Sequence, residues 1–504
     1  MYAVQKQEPV EQAKVTQPSD ELRIAVTFKR LVDRLGPTKM AARMSTAAAP
    51  SFRPDPVEMD RAIAELHRRG FQLTSRGQLT VSVRGSRALF EKTFGTKLAA
   101  FHVRPTEQAA AHAFYFPPDG APWKPDPLVM ELIDDAYIQW PHIYMAKKAK
   151  PKAPSATPPK VKYFCLKMPK DVPELLRAAD VHAKGTTGKG VTVAMVDSGF
   201  AHSHPFFVKN KFHSTVDLAA RVKSASTDGN GHGTGESTNI FAVAPGATFI
   251  GIKVDNDDPN EQGATILEGF QQALQHKPRV ISISLGYDLV QTDPATGQRV
   301  SETPLAKLPN NLVALEAEIQ AAVAAGTIVV LSAGNGHVSF PGMMPDVIAA
   351  GGVYVDESGK PQASDYSSAF LSRIYAGRHV PDFCGLVGLL PNADYITLPI
   401  PSGCEIDIDN SHHDGTRATD GWGVFSGTSA AAPQLAGVCA LLLEKNPGLT
   451  PGDIKAILRR TARDVTVGHA NPDSNEGHGL PASTGDDGAT GAGLVDAFAA
   501  WQQA

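Results

Sequence analysis

Three residues far apart in the chain have the right types to activate a hydroxyl group together. Ser429 lies in VFSGTSAAAP (424–433), between small residues and just ahead of an apolar helical run. Asp197 closes VTVAMVDSGF (191–200), a buried-strand pattern, and His232 sits in DGNGHGTGE (228–236), a glycine-rich turn entering a helix. A serine hydroxyl is a poor nucleophile at neutral pH until a base takes its proton. An imidazole can do so, and a carboxylate behind it fixes the tautomer and stabilises the charged form. Singly, each residue has a plainer explanation: a buried capping aspartate, a turn histidine, a helix N-cap serine. The occurrence of all three together favours the joint reading.

Groups so widely separated need a rigid frame. Between about 163 and 504, short β-rich runs (VTVAMVD, ATFIGIKV, VISISLG, TIVVLSAG, VIAAGGV) alternate with helical patterns such as ATILEGFQQALQHK and LVALEAEIQAAVAAG. Such alternation predicts βαβ units, hence an α/β fold with a largely parallel sheet covered by helices on both faces. Chemistry then belongs at the carboxyl ends of strands, where Asp197 and the turn at 332–335 fall.

Upstream, residues 1–21 are polar and read as disordered, and 22–145 form a small α+β domain. PVEMDRAIAELHRR (56–69) has helical apolar spacing and stops at Gly70. FQLTSRGQLTVSVRGS (71–86) reads as two strands around a Ser-Arg-Gly turn, followed by a second short helix at 86–95 and a strand at KLAAFHVR. Residues 146–162 (AKKAKPKAPSATPPKVK) are rich in Lys, Pro, Ala and Ser, which predicts a solvated, partly extended linker and an easy cut site.

Bulk properties fit that plan. A chain of 504 residues suggests two or three domains, with 42% hydrophobic and 20% charged residues as in globular proteins. A net charge of −4 gives no global reason to expect nucleic acid or anionic membrane as a partner. No apolar run approaches the roughly 20 residues that span a bilayer. The N-terminus lacks the apolar core of a secretory signal. Four cysteines (Cys165, Cys384, Cys404, Cys439) are too few for a disulfide framework. Cys384 and Cys404 have two readings, a bridge within one loop region or free buried thiols.

With these motifs in order, residues 163–504 resemble the subtilase (subtilisin-like) superfamily. VAMVDSGF resembles its aspartate block, GHGT its histidine block, ISLG (283–286) its substrate-binding strand, SAGN (332–335) its oxyanion block and GTSAAAP its serine block. The piece PDFCG (381–385) is similar to a further stretch of that family. The resemblance implies Ser429 as nucleophile, His232 as general base then acid, and Asp197 as its orienting partner. It also implies Asn335 as an oxyanion donor, and Ser284, Leu285 and Gly286 as backbone for an extended peptide. The activity implied is serine endopeptidase, with peptides or proteins as substrates and no organic cofactor. An extracellular place of work rests on the resemblance alone, as does the expectation of a monomer.

Two features depart from the ordinary pattern. Glu236 follows His232 by four residues, on the same helix face. In sedolisins, acid-active relatives with the same fold, that helix carries a Glu and an Asp at this spacing. A carboxylate there would raise the imidazole pKa; a first-turn glutamate favoured by the helix dipole is the other reading. Second, ARDVTVG (462–468) and STGDDGATGAG (483–493) resemble the sedolisin calcium site. The resemblance implies Ca2+ held by the Asp464 and Asp487 carboxylates and the carbonyls of Val465, Ser483 and Gly485, hard oxygens suited to that ion. A polar Gly/Asp loop ahead of the last helix is the alternative.

Residues of about 50–105 resemble the pro-kumamolisin activation domain, which implies an intramolecular chaperone and inhibitor removed by cleavage near the linker. His412 and His413, adjacent in an enlarged loop and followed by Asp414, read as solvated histidines rather than as a metal site. Two rivals remain to the hydrolase: a transpeptidase or cyclase on the same fold, and a catalytically silent binding protein.

Overall fold

The computed structural model describes residues 18–29, 46–47, 49–103, 112–118, 120–140, 150–257, 263–292 and 299–504. The expectation of disorder over 1–21 falls mostly outside them, and its last residue, Glu21, opens a strand. In the N-terminal unit, strands β1 (Glu21–Phe28), β2 (Gln72–Arg76), β3 (Thr80–Ser86) and β4 (Ile133–Gln139) form a sheet in the order β2-β3-β1-β4. Helices α1 (Pro56–Arg69) and α2 (Arg87–Phe94) supply apolar side chains to its core, with Leu66, Phe90 and Phe94 packed against Ile24, Val26, Val81 and Val83. The start of α1 is written locally. Asp55 accepts the Val57 and Glu58 N–H groups, and Pro56 stands in the first turn, where no N–H is needed. Gly70 ends the helix at φ +109°, a conformation that costs other residues more.

The larger unit is an eight-stranded sheet. Its path uses β5 (Thr192–Asp197), β6 (Ser214–Leu218), β7 (Thr248–Lys253), β8 (Val280–Ile283), β9 (Ile328–Ser332), β10 (Ile348–Val355) and β11 (Pro361–Ala363), in the order β11-β10-β9-β8-β5-β7-β6. An eighth strand, β12 (Phe383–Leu386), also pairs with β10. All pairs are parallel except β10–β11. Strand order reverses between β5 and β8, so a crevice opens at their carboxyl ends. Asp197 is the last residue of β5, Ser284 follows β8, and Asn335 follows β9 within three residues.

Helices α3 (His232–Val243) and α6 (Thr428–Lys445) cover one face; α4 (Ile266–Gln275) and α5 (Val313–Ala324) cover the other. The two apolar cores lie on either side of the sheet, as its two-sided burial demands. Gly437 lets α3 and α6 approach closely: a Cβ there would lie 2.7 Å from Val243 Cβ and 3.4 Å from Ile240 O. Gly437 is eight residues beyond Ser429, and Ile240 eight beyond His232. Gln434 meets Asn239 (3.1 Å) nearer both helix heads, so the two helices run in the same direction.

The N-terminal sheet lies on α4 and α5. Glu318, fully buried on α5, accepts the N–H groups of Gln78 (2.8 Å), Leu79 (2.8 Å) and Thr80 (2.7 Å) and the Thr80 hydroxyl (2.7 Å). Thr74 donates to Glu268 (2.7 Å), Ser82 to Gln271 (2.8 Å), and Arg23 to the Gly263 carbonyl (2.9 Å). Residues 150–162 are coil but lean on the loop at 400–424. Lys152 N–H donates to Ser402, and the Trp422 indole donates to the Ser155 carbonyl. Among the described residues no helix is long and apolar enough to cross a membrane.

Candidate active site

Asp197 is fully buried and carries two bonds on Oδ1, from His232 Nδ1 (2.7 Å) and from the Ser198 N–H (2.7 Å). His232 is the first residue of α3, with its side chain 20% exposed, so the ring's far edge meets solvent. Beneath it lies a residue the sequence reading passed over. Asp228 accepts from Ser198 Oγ (2.9 Å), the Gly231 N–H (2.9 Å), and the N–H (2.9 Å) and hydroxyl (2.6 Å) of Thr234. Ser198 Oγ in turn accepts the Gly233 N–H (2.9 Å), which ties the end of β5 to the head of α3. Asp228 stands in the same glycine-rich block as His232, and a buried carboxylate among free N–H groups is the signal that marks it.

Ser429 is the second residue of α6 and partly exposed. Its carbonyl accepts the Ser284 hydroxyl (2.9 Å). No hydrogen bond joins Ser429 Oγ to His232 among the described residues, a looseness common in sites without substrate. Asn335 Oδ1 accepts the Thr428 N–H (2.9 Å) and hydroxyl (3.0 Å), which leaves its Nδ2 as the free end of the amide. A Cβ at Gly427 would lie 3.0 Å from that Nδ2, and φ there is +125°, so glycine is required twice over. After β8, no main-chain hydrogen bond within the described residues uses the N–H groups of Ser284, Leu285 or Gly286; pairing resumes at Tyr287 with Phe340.

Burial alone would lower the His232 imidazole. The Asp197 carboxylate outweighs it, Glu236 and Asp228 add to it, and the imidazole rises to about 9. Glu236 is fully buried, which disfavours a glutamate merely serving the helix dipole. Burial pushes it up to about 8, against the pull of His232 and with the push of Asp197.

The remaining expected residues divide. The two C-terminal blocks meet: Gly485 N–H donates to both oxygens of Asp464 (3.2 Å each). Asp487 accepts the N–H groups of Ser483 (2.7 Å), Ala489 (2.8 Å) and Thr490 (2.7 Å). Two carboxylates with nearby carbonyls are a donor set of the type calcium takes, although the loop is also closed by its own N–H groups. Among the described residues no three His, Cys, Asp or Glu side chains gather to hold a metal, so carbonyls would supply most of a shell. His413 pairs with Asp394 (2.9 Å), and Asp414 is buried on the Thr416 and Val424 N–H groups. All four cysteines are free and buried, so Cys384 and Cys404 form no bridge.

The sequence profile of the subtilase family matches residues 188–479. This chain is a subtilase. It is 30% identical over 299 residues to serine protease AprX of Bacillus subtilis (strain 168), covering 54% of this chain and 61% of that protein. It is 25% identical over 303 residues to subtilisin E of the same organism, covering 57% and 64%. This subtilase thus spans less than two thirds of the length of those relatives. Fervidolysin from Fervidobacterium pennivorans, a keratinolytic enzyme related to subtilisin, superposes with a TM-score of 0.53 at 18% identity, over 96% of this chain and 61% of that one. The subtilase carries that subtilisin-like α/β fold.

Proposed function

We propose that this subtilase is a serine endopeptidase made as a self-processing zymogen. The observation that carries the reading is the His232–Asp197 hydrogen bond at the head of a helix packed along the one that bears Ser429. Asp197 holds the Nδ1–H, so Nε2 is free to take the Ser429 proton. Ser429 Oγ then attacks the scissile carbonyl carbon, and the negative oxygen meets Asn335 Nδ2 and the N–H groups at the head of α6. His232 returns the proton to the leaving amine as the C–N bond breaks, and water hydrolyses the resulting ester by the same route. The free backbone of 284–286 supports an extended peptide docked by main-chain hydrogen bonds, a mode with modest side-chain selectivity.

In this reading the N-terminal unit is the intramolecular inhibitor, as its pro-kumamolisin-like stretch implies. Support comes from Trp140, at the end of its sheet, whose carbonyl accepts the Tyr287 hydroxyl (3.4 Å) directly after 284–286. Calcium belongs to the same proposal, held by Asp464 and Asp487 with the carbonyls of Val465, Ser483 and Gly485, where it would brace the C-terminal loop.

Intact mass over time, compared between wild type and Ser429→Ala, tests the whole. Wild type should lose an N-terminal fragment ending near the linker and should label with a fluorophosphonate; the variant should do neither. Full-length wild type without labelling would favour a silent binding protein. Product masses from a peptide separate hydrolysis from transfer to an amine.

A further inference from the structure

The buried ground behind His232 holds one carboxyl group more than the proposed mechanism uses. Glu236 lies one turn along α3 from His232 and has no solvent exposure. Its Oε2 accepts Asn239 Nδ2 (2.9 Å), while Oε1 has no donor among the described residues. Asp197 Oδ2, also fully buried, has none either. Asn239 passes the connection on: its Oδ1 accepts Gln434 Nε2 (3.1 Å) from α6, and Gln434 Oε1 accepts the Leu386 N–H (2.7 Å). A polar chain of fully buried groups therefore links the helix of His232 to the helix of Ser429.

The charges around Glu236 can be counted. His232 faces it from α3 itself, and Asp197 from β5; Asp228 faces His232 from the preceding turn. From α6 comes only the neutral amide of Gln434. The strand Ile396–Pro399, which packs on α3, carries no titratable side chain. The helix Asp171–Leu175 offers Asp171, taken by the Lys167 N–H, and Glu174, paired with Lys170. His202 touches α3 at Ser237 (2.9 Å) and is kept neutral by burial. Among the described residues, the imidazole is thus the one group close to Glu236 that can bear a positive charge. Two carboxylates cannot both stay ionised in such a place beside a neutral imidazole without a large desolvation cost.

We propose that Glu236 is a positioning residue that shares a proton with His232. In the middle of the titration one proton is held between the two groups, with the ionised carboxyl favouring the charged ring, and so Glu236 sets the pH range in which His232 works as a base. The pair then titrates in two macroscopic steps that belong to both groups. This rests on the peptidase reading only for its role in catalysis, since the shared proton can be measured without turnover.

The test is an NMR titration of the full chain in a Ser429→Ala background, with labelled imidazole and Glu carboxyl carbons. The His232 midpoint should fall by about one pH unit in Glu236→Gln, equivalent to tenfold in the protonation equilibrium, and return in Glu236→Asp. Superimposable His232 curves with and without Glu236→Gln would overturn the proposal. If Glu236→Gln does not fold, the Ser429→Ala chain alone decides. A Glu carboxyl resonance moving in step with His232 supports a shared proton, and its absence overturns it. In the active protein, the acid limb of kcat/KM should move with the same shift while KM stays constant. A chain that hydrolyses nothing yet shows the coupled titration would remove the peptidase reading and leave the shared proton standing.

Discussion

His232 answers to Asp197 on one edge and to Glu236 a turn below, and both groups that titrate there are raised by the fold. The acid limb of activity should therefore lie above an ordinary imidazole's range near 6.5, with kcat/KM still climbing between about pH 7 and 9. Stability should move the other way. A group with a raised folded pKa contributes stability fully present below its unfolded value and lost as pH rises through the folded one. For Glu236 that window runs from 4.5 to about 8, and for His232 from 6.5 to about 9. Urea midpoints of the Ser429→Ala chain should accordingly decline across these ranges, and Glu236→Gln should flatten the lower part. Asn335→Ala should reduce kcat by roughly 10²–10³-fold with little change in KM, read by steady-state kinetics on a peptide. The meeting of Asp197 with His232, and of Asn335 with the residue before Ser429, was legible in the sequence because glycine-rich and small-residue blocks surround each. The depth of Glu236 was not, because burial of a helix's polar face depends on what packs there. The Asp228 hub stood in plain view, but its four donors come from three separate residues in folded space.

Elements place those side chains through one close approach. Gly437 brings α6 against α3, and a larger residue would meet Val243 at once. Gly437→Val should therefore destabilise by about 1–3 kcal/mol through overpacking, and should lower activity at least tenfold by pushing the two helices apart. Thermal denaturation and peptide turnover separate the two effects. The strands behind these helices were readable because buried parallel strands are continuous apolar runs, as in β5, β7, β8, β9 and β10. The edge strand β6, with the sequence STVDL, shares no such run and was invisible. Strands β1 and β4 of the N-terminal unit were likewise unread, since a strand's partners lie elsewhere in the chain. Helix α1 was found end to end because its caps are local.

Between the two units, Glu318 is the contact that concentrates most into one side chain. Glu318→Ala would leave the N–H groups of Gln78, Leu79 and Thr80 buried without an acceptor. In a Ser429→Ala background the N-terminal unit of that variant should be digested by an added protease several-fold faster than its parent. Chelation should lower the melting temperature of the whole chain by a few degrees if calcium braces the C-terminal loop, and Asp464→Asn with Asp487→Asn should remove that response. Neither the docking of 150–162 on Trp422 nor the grip of Glu318 was legible beforehand, for both join segments more than two hundred residues apart.

The packing of α6 on α3 also bears on how such a chain can be made safely. Asp197 and His232 are synthesised long before Ser429, and the three can meet only when α6 has docked, through Gly437, against Val243 of α3. Until then a nascent or truncated chain owns a base without a nucleophile. On the proposed reading, cutting power then arrives only once two helices have packed, late in the assembly of the site.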